Sequence, residues 1–445
     1  MEKKRERSDL EGQRQSGKQS QQQPKSNGDY AFFENQDITL QQKLGSGKFG
    51  SVWRAVVEPK VDDPSSPFSS SSEQQQQQLQ PLQGSQSSPP PTSNSSNTCI
   101  KKDVAVKVFT GKDERSLSME RFIYDLPGMA HPNLLRYLAA FELRPYEHLP
   151  SEDSKKKQKK GKAKSESIPP PSQRTFWLVT EYHRTGSLYD YLSRQKNSEK
   201  FTVHQLLSLV HGLASGLSFL HNFGDYHHHG RQGMSSIALR DFKSANIILA
   251  ENGNGSLRPL IADLGLAVVF SFGSGEAFGQ ALERVGTPRY MAPEVLSGHL
   301  DLTTPAAYLA VDMYALGLVL WELLSRTEVE GETEENFESY RPPYQEYLGA
   351  EGRRVPPSVA EMHSLVVGRR LRPSVKSGWF GRNSRGGGVQ VVVVAESMVD
   401  CWDVDGEARL KAATLLMRME ALILEGEKGG SKEEEKEVEE EVFEV

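Results

Sequence analysis

The chain has 445 residues, enough to bury a large core, and length alone allows two or three globular units. Its formal net charge of −6 is mild and gives no global reason to expect nucleic acid as a partner. The two cysteines, Cys99 and Cys401, build no disulfide framework and suit a reducing compartment.

Residues 1–37 are polar, rich in charge, Gln and Ser, without the apolar core of a signal peptide, and disorder is expected there. From Ile38 the pattern turns strand-like. Ile38, Leu40 and Gln42 alternate into Leu44, a glycine cluster follows, and then Val52, Trp53 and Val56. Residues 60–98 are Ser, Gln and Pro and read as a linker-like insertion. Val104-Ala-Val-Lys-Val-Phe109 predicts another strand, and residues 117–126 predict a helix. Strand-like runs at 135–142 and 176–181 flank a second insertion, 150–173, dense in lysine. After Gly186 the periodicity is helical: Leu188, Tyr191 and Leu192 share one face, as do Leu206, Leu209, Val210, Leu213, Leu217 and Leu220. Further helices are expected at 308–325 and 407–424. The apolar stretch 306–324 carries Asp312 and Glu322, and a carboxylate in mid-bilayer costs several kcal/mol, so this stretch reads as a buried globular helix. An acidic tail, 426–445, ends the chain. The expected plan is α+β: a small β-rich lobe at about 38–182 carrying both insertions, then a large helical lobe at about 183–425.

Four short motifs carry chemistry. Gly45-Ser-Gly47-Lys-Phe-Gly50-Ser-Val52 fits G-x-G-x-x-G-x-V, in which glycines let backbone amides approach phosphate oxygens. Taken alone it fits a glycine-rich hairpin equally well. A strand-like run follows it rather than a helix, which argues for a flap over nucleotide and against a dinucleotide fingerprint. Lys107 stands in an apolar strand, where burial is expensive unless an anion meets it, and Glu120 in the next helix can pair with it and hold it against α- and β-phosphates. In Arg240-Asp241-Phe-Lys243-Ser-Ala-Asn246, a carboxylate, an ammonium and an amide converge within a few residues. Asp241 can accept a hydroxyl proton, Lys243 can neutralise the transferred phosphoryl group, and Asn246 can hold a metal. Asp263-Leu-Gly265 follows an apolar run, which puts Asp263 at a strand end suited to Mg²⁺.

Together with Ala292-Pro293-Glu294 downstream, this ordered set resembles the protein-kinase signature, over residues 38–425. Tyr124-Asp-Leu-Pro-Gly-Met129, Ile237-Ala-Leu-Arg-Asp-Phe-Lys-Ser244, Val285-Gly-Thr-Pro-Arg-Tyr-Met-Ala-Pro-Glu294 and Cys401-Trp-Asp-Val-Asp-Gly-Glu-Ala-Arg-Leu410 narrow it: they are similar to the intracellular kinase of type II activin/TGF-β receptors. The resemblance implies a bilobal protein-kinase fold using ATP and Mg²⁺ or Mn²⁺. Asp241, Lys243, Lys107 and Glu120 would be catalytic, and Asn246 and Asp263 would hold metal. Nucleotide would meet Gly45, Gly47, Gly50, Val52, Ala105, Lys107 and Thr180, with Glu181 to His183 as the hinge. It also implies that Asp312 anchors the catalytic loop, that Arg409 pairs with Glu294, and that the substrate is a type I receptor kinase upstream of Smad signalling, phosphorylated on serine or threonine. The family is membrane-anchored with its kinase on the cytoplasmic side, whereas this chain by itself is expected to be soluble and without a span.

The departures are local. Leu239 stands where the family usually has histidine, which keeps a pseudokinase as the rival expectation; a cytosolic kinase of the tyrosine-kinase-like group is a third. Leu264 and Gly186-Ser-Leu-Tyr-Asp-Tyr-Leu192 are more typical of type I receptors, but no Gly/Ser-rich segment of the type I kind precedes Ile38. His227-His-His229 and the lysines between 155 and 164 are expected to be solvated loops.

Overall fold

A computed structural model of the chain describes residues 36–47, 50–59, 101–110, 113–143, 175–195, 199–224, 234–271, 275–279, 284–329, 339–349, 356–381 and 388–426. The expectations for 1–35, 60–98, 150–173, His227–His229 and 427–445 lie outside those residues.

The first lobe is an antiparallel sheet of β1 (Gln36–Gly47), β2 (Gly50–Pro59), β3 (Lys102–Thr110), β4 (Tyr137–Leu143) and β5 (Thr175–Glu181), in the order β1-β2-β3-β5-β4. Period-two alternation sorts its faces. Val104, Val106 and Val108 point into one buried cluster with Trp53, Ala55, Val57, Leu138, Ala139 and Val179. The intervening Ala105 and Lys107 therefore lie on the opposite face. Helix α1 (Glu114–Tyr124) packs through Leu117 on Phe109, Phe176 and Leu178. Leu44 departs from the expected alternation: shifts of register between Leu40 and Gln42 and between Lys43 and Gly45 leave its side chain exposed.

The second lobe is built around two long apolar helices, α3 (Val203–His221) and α5 (Pro305–Ser325), after the short α2 (Leu188–Arg194). A capping box between Thr202 and Gln205 starts α3. Pro305 in the first turn starts α5, which is apolar on nearly every side and buried accordingly, including Asp312 and Glu322. Both helices are long and apolar enough to cross a membrane by length and composition alone, and both are largely buried inside the folded lobe. Between them run β6 (Met234–Ala238), the β7–β8 hairpin (Ile247–Glu251 and Leu257–Ile261), and β9 (Val268–Ser271), which pairs with both β6 and β10 (Ala277–Phe278). Short helices α4 (Pro293–Ser297) and α6 (Val359–His363) precede α7 (Gly388–Cys401).

The helix expected at 407–424 begins later: Gly406–Ala408 is a 3₁₀ turn capped by Asp405, and the α-helix, α8, runs over 412–426. Helix α7 forms against the strand preference of its four successive valines. Packing overrides that preference. Val391, Val394, Ala395, Met398 and Cys401 recur at helical spacing and are buried against α5, where a Cβ on Gly317 would come within 3.1 Å of the Cys401 Cβ.

Candidate active site

The loop between β6 and β7 carries Asp241, and Asp312 of α5 holds it from below. Asp312 Oδ2 accepts the Leu239 N–H and Oδ1 the Arg240 N–H, each at 2.7 Å, and His221 Nε2 lies 3.2 Å from Oδ2. Three contacts on one buried carboxylate fix the backbone where Arg240 takes a left-handed φ of 66°. That strained turn presents Asp241. Its Oδ2 is 2.6 Å from Lys243 Nζ, and its Oδ1 accepts the Thr287 hydroxyl at 2.7 Å. Lys243 Nζ also donates to Thr287 Oγ1 at 2.7 Å, closing a three-membered ring of carboxylate, ammonium and hydroxyl. The Asn246 amide N–H donates to the Asp241 carbonyl at 2.9 Å.

A second cluster sits across from it. Lys107 Nζ lies 2.8 Å from Glu120 Oε2 and 2.7 Å from Asp263 Oδ1, so β3, α1 and the turn after β8 meet at one ammonium. Burial alone would lower the Lys107 pKa, but the charges of Glu120 and Asp263 outweigh it and hold the group above the ordinary lysine value. For Asp263, burial works to raise the carboxyl, and the Lys107 charge and hydrogen bond outweigh it to leave the pKa below the usual range. Asp263 has a left-handed φ of 63°, and the Ala262 N–H donates to the Asn246 carbonyl at 2.9 Å, which ties the Asp263 turn to the Asp241 loop.

Asn246 and Asp263 thus lie on two turns joined by one hydrogen bond. With the Asn246 N–H₂ used on the loop, its carbonyl oxygen and the Asp263 carboxylate remain as hard oxygen donors, the set that Mg²⁺ takes when phosphate and water complete its shell. Among the described residues no group of three or more His, Cys, Asp and Glu side chains forms a metal site by itself.

The expected nucleotide contacts line the sheet beside this cluster. Val52 is the register partner of Lys107, and Ala105 that of Thr180, whose side chain is buried. Glu181 leads out of β5 and is 3.2 Å from His183, whose hydrogen bond keeps the Glu181 carboxyl below its usual pKa. Arg54, paired with Asp103 at 2.9 Å, lies over the Tyr182 ring between them. The glycines divide. Among the described residues a Cβ on Gly45 or Gly47 would meet nothing within 4 Å, whereas on Gly50, at φ +136°, it would lie 2.1 Å from the Val108 carbonyl oxygen. Gly50 is therefore required by the sheet itself, and Gly45 and Gly47 face open space.

The Arg409–Glu294 pair implied by the resemblance is present and bidentate, at 2.7 and 2.8 Å. Sequence reasoning missed His221, Tyr340 and the part taken by Ser244, Tyr290 and Glu322 around the loop. The available signal was Glu322 itself, one of two carboxylates in an otherwise apolar helix.

A profile of the protein kinase domain matches residues 92–346, more than half of the chain. The chain belongs to the protein kinase family. The matched span starts after the glycine-rich hairpin, yet β1 and β2 complete this kinase's sheet and bring that hairpin to the edge of β3. Among similar proteins, activin receptor type-2B of Xenopus laevis is 35% identical over 320 residues, covering 71% of this chain and 52% of the relative. Activin receptor type-2A of Rattus norvegicus is 34% identical over 313 residues, covering 70% and 51%. TGF-beta receptor type-1 of Homo sapiens is 31% identical over 375 residues, covering 84% and 56%. The kinase thus spans about half the length of the curated relatives it matches. Membership of this family brings with it ATP and a divalent metal as general requirements.

Proposed function

We propose that the chain transfers the γ-phosphate of ATP to serine or threonine of protein substrates, as the kinase unit of a type II activin/TGF-β-like receptor. The observation that carries this reading is the ring of Asp241, Lys243 and Thr287. In it Asp241 is the acceptor for the substrate hydroxyl proton, and Lys243 neutralises charge on the transferred group. Thr287 bonds both residues in the segment that faces substrate, and with Lys243 two residues after the base this favours an aliphatic hydroxyl over tyrosine. Lys107, held by Glu120, meets the α- and β-phosphates, while Gly45, Gly47, Val52, Ala105 and the Thr180–His183 segment enclose the nucleotide. Asn246 and Asp263 hold Mg²⁺ or Mn²⁺, which when bound offsets negative charge shared among the phosphates.

The substrate in this reading is a type I receptor kinase, and the site of action is the cytoplasmic face of a membrane. Similarity to receptor kinases of both types supports the receptor class, and the type II motifs between Tyr124 and Leu410 support the assignment within it. The test is incorporation of labelled phosphate by the purified chain with ATP and Mg²⁺, into casein and into the intracellular segment of a type I receptor. Asp241→Asn removes the proton acceptor and is expected to cut turnover by about 10³-fold or more. Near-normal turnover by that variant contradicts the assignment of the base, and product that is mainly phosphotyrosine contradicts the hydroxyl preference. Leu239 favours a second reading, a pseudokinase that retains the fold; ATP-dependent labelling lost in Asp241→Asn decides against it.

A further inference from the structure

Arg289 is a half-buried cation beside the candidate active site that the proposed chemistry does not use. It stands two residues beyond Thr287, in the 3₁₀ turn Pro288–Tyr290. The hydroxyl that bonds Asp241 and Lys243 and this guanidinium therefore share one short segment. The guanidinium donates to neutral oxygens of the segment after α5: the Pro343 carbonyl, and Gln345 Oε1 at 3.2 Å. Among the described residues Arg289 has no ion-pair partner.

The carboxylates in its neighbourhood are already occupied. Glu322, buried in α5, accepts the Ser244 hydroxyl at 2.8 Å, the Tyr290 hydroxyl at 3.1 and 3.0 Å on its two oxygens, and the Tyr340 hydroxyl. Asp190, next to Tyr189 on α2, takes the Ser187 hydroxyl at 2.6 Å. Glu346, next to Gln345, accepts the Ser374 N–H at 2.9 Å and its hydroxyl at 3.2 Å. Aromatic rings make up much of what remains. Burial lowers the Arg289 pKa, and Tyr290, Tyr340, Glu322 and Tyr189 are the ionisable groups near enough to act against that. The Tyr189 and Tyr340 rings meet edge-on at 5.9 Å, and Tyr189 is 40% exposed, so this patch opens to solvent on the α2 side.

A cation drawn partly out of water without a counter-charge is unfavourable, and a guanidinium has more N–H donors than two acceptors use. The donors left over match the paired oxygens of a carboxylate or a phosphate. We propose that Arg289, with Tyr189 and Tyr340 beside it, is a specificity-determining subsite for an acidic side chain of the protein substrate, carboxylate or phosphate, close in sequence to the serine or threonine that meets Asp241. The inference rests on the proposed phosphotransferase reading and adds the charge of the substrate to it. An extended chain rises about 3.3 Å per residue, so a group two residues from Thr287 is within reach of substrate positions near the acceptor. The rings beside the guanidinium exclude water from the pair, which strengthens it.

The test uses the purified full chain with ATP and Mg²⁺ and serine peptides that differ at one position, scanned over about four residues on either side of the acceptor. That position carries aspartate, asparagine, phosphoserine or lysine. At the preferred position kcat/KM for aspartate is expected to exceed that for asparagine by about tenfold, with lysine the poorest. The phosphoserine arm separates the two sources: a phosphate favoured over aspartate marks a substrate that has been phosphorylated beforehand, and the reverse marks an acidic one. In Arg289→Gln aspartate and asparagine are expected to come within about twofold of each other, with the KM for ATP within about twofold of the parent's. A residue that merely ties its segment to Pro343 and Gln345 would affect all the peptides alike. Arg289→Lys keeps the charge without that fork and is expected to retain an aspartate preference of about threefold or more.

Equal use of aspartate and asparagine peptides by the parent at every position overturns the inference and leaves the kinase reading standing. So does an aspartate preference that survives undiminished in a folded Arg289→Gln protein. If Arg289→Gln does not fold, Arg289→Lys decides, and loss of the preference in that variant overturns the inference. A parent that phosphorylates none of the peptides, nor casein, nor itself overturns the kinase reading, and the inference with it.

Discussion

Leu239 enters the loop that carries Asp241 one residue before the left-handed Arg240, with its amide on Asp312 and its side chain in the apolar core of the helical lobe. The resemblance assigns a histidine to this place, with the task of bracing the backbone near Asp263. Here the brace is built from other parts: the Asp312 carboxylate, the two loop amides, and His221 at the end of α3. Restoring histidine would therefore add a polar ring to a pocket that is only 2% exposed. Leu239→His is expected to lower stability by about 1–3 kcal/mol and to change turnover by no more than several-fold. Denaturant melts and turnover at saturating ATP check this, and a hundredfold gain in turnover would mean that Leu239 is what disables the natural chain. Asp312 and Arg409 were legible because motifs surround them. His221 was not, since the last of three histidines in an apolar helix gives no sign that the chain brings Asp312 to meet it across 91 residues.

Strands and helices were legible in proportion to how far their local pattern agreed with their packing. In β3 the apolar run from Val104 to Phe109 marked the strand, and the fold assigns Val104, Val106 and Val108 to one buried face and Lys107 to the other. In α7 four valines in succession masked a helix that exists because α5 offers it a groove at Gly317. The glycine-rich hairpin shows the same limit, since its motif gives three glycines one meaning and the structure separates them. Gly50→Ala would drive a Cβ against the Val108 carbonyl oxygen and is expected to distort the pairing of β2 with β3, lowering stability by about 2 kcal/mol or more. Among the described residues Gly45→Ala and Gly47→Ala meet nothing within 4 Å, so their effect belongs in the KM for ATP, with melting temperatures near the parent's. Melts and ATP titrations of the three variants separate the two roles, and equal loss of stability in all three contradicts the division.

At the scale of the whole molecule, α5 joins the core to the chemistry through its two carboxylates. Composition marked Asp312 and Glu322 only as residues out of place in a membrane; in the fold, one holds the loop that carries Asp241 by its amides and the other by Ser244. The Glu322 site has a consequence for global stability. Its carboxyl ordinarily titrates at 4.5 and in the folded chain at about 7, because burial disfavours the charge more than the hydroxyls and Arg289 favour it. Between those values the folded state holds a proton that the unfolded chain has released, so stability falls as pH rises through the window and levels off above it. The gap corresponds to a loss on the order of 3 kcal/mol. Asp263 works in the opposite sense and elsewhere on the scale: its carboxyl is held below its ordinary 3.8, so its contribution is complete above that value and is lost only as pH falls below it. The two effects therefore do not overlap. Guanidinium midpoints measured from about pH 5 to about pH 8 are expected to decline in the parent and to decline by much less in Glu322→Gln, which has nothing to ionise there. The variant should be the less stable protein at the acid end of that range and gain on the parent toward the alkaline end. Parallel curves across the range would mean that Glu322 keeps the same charge throughout.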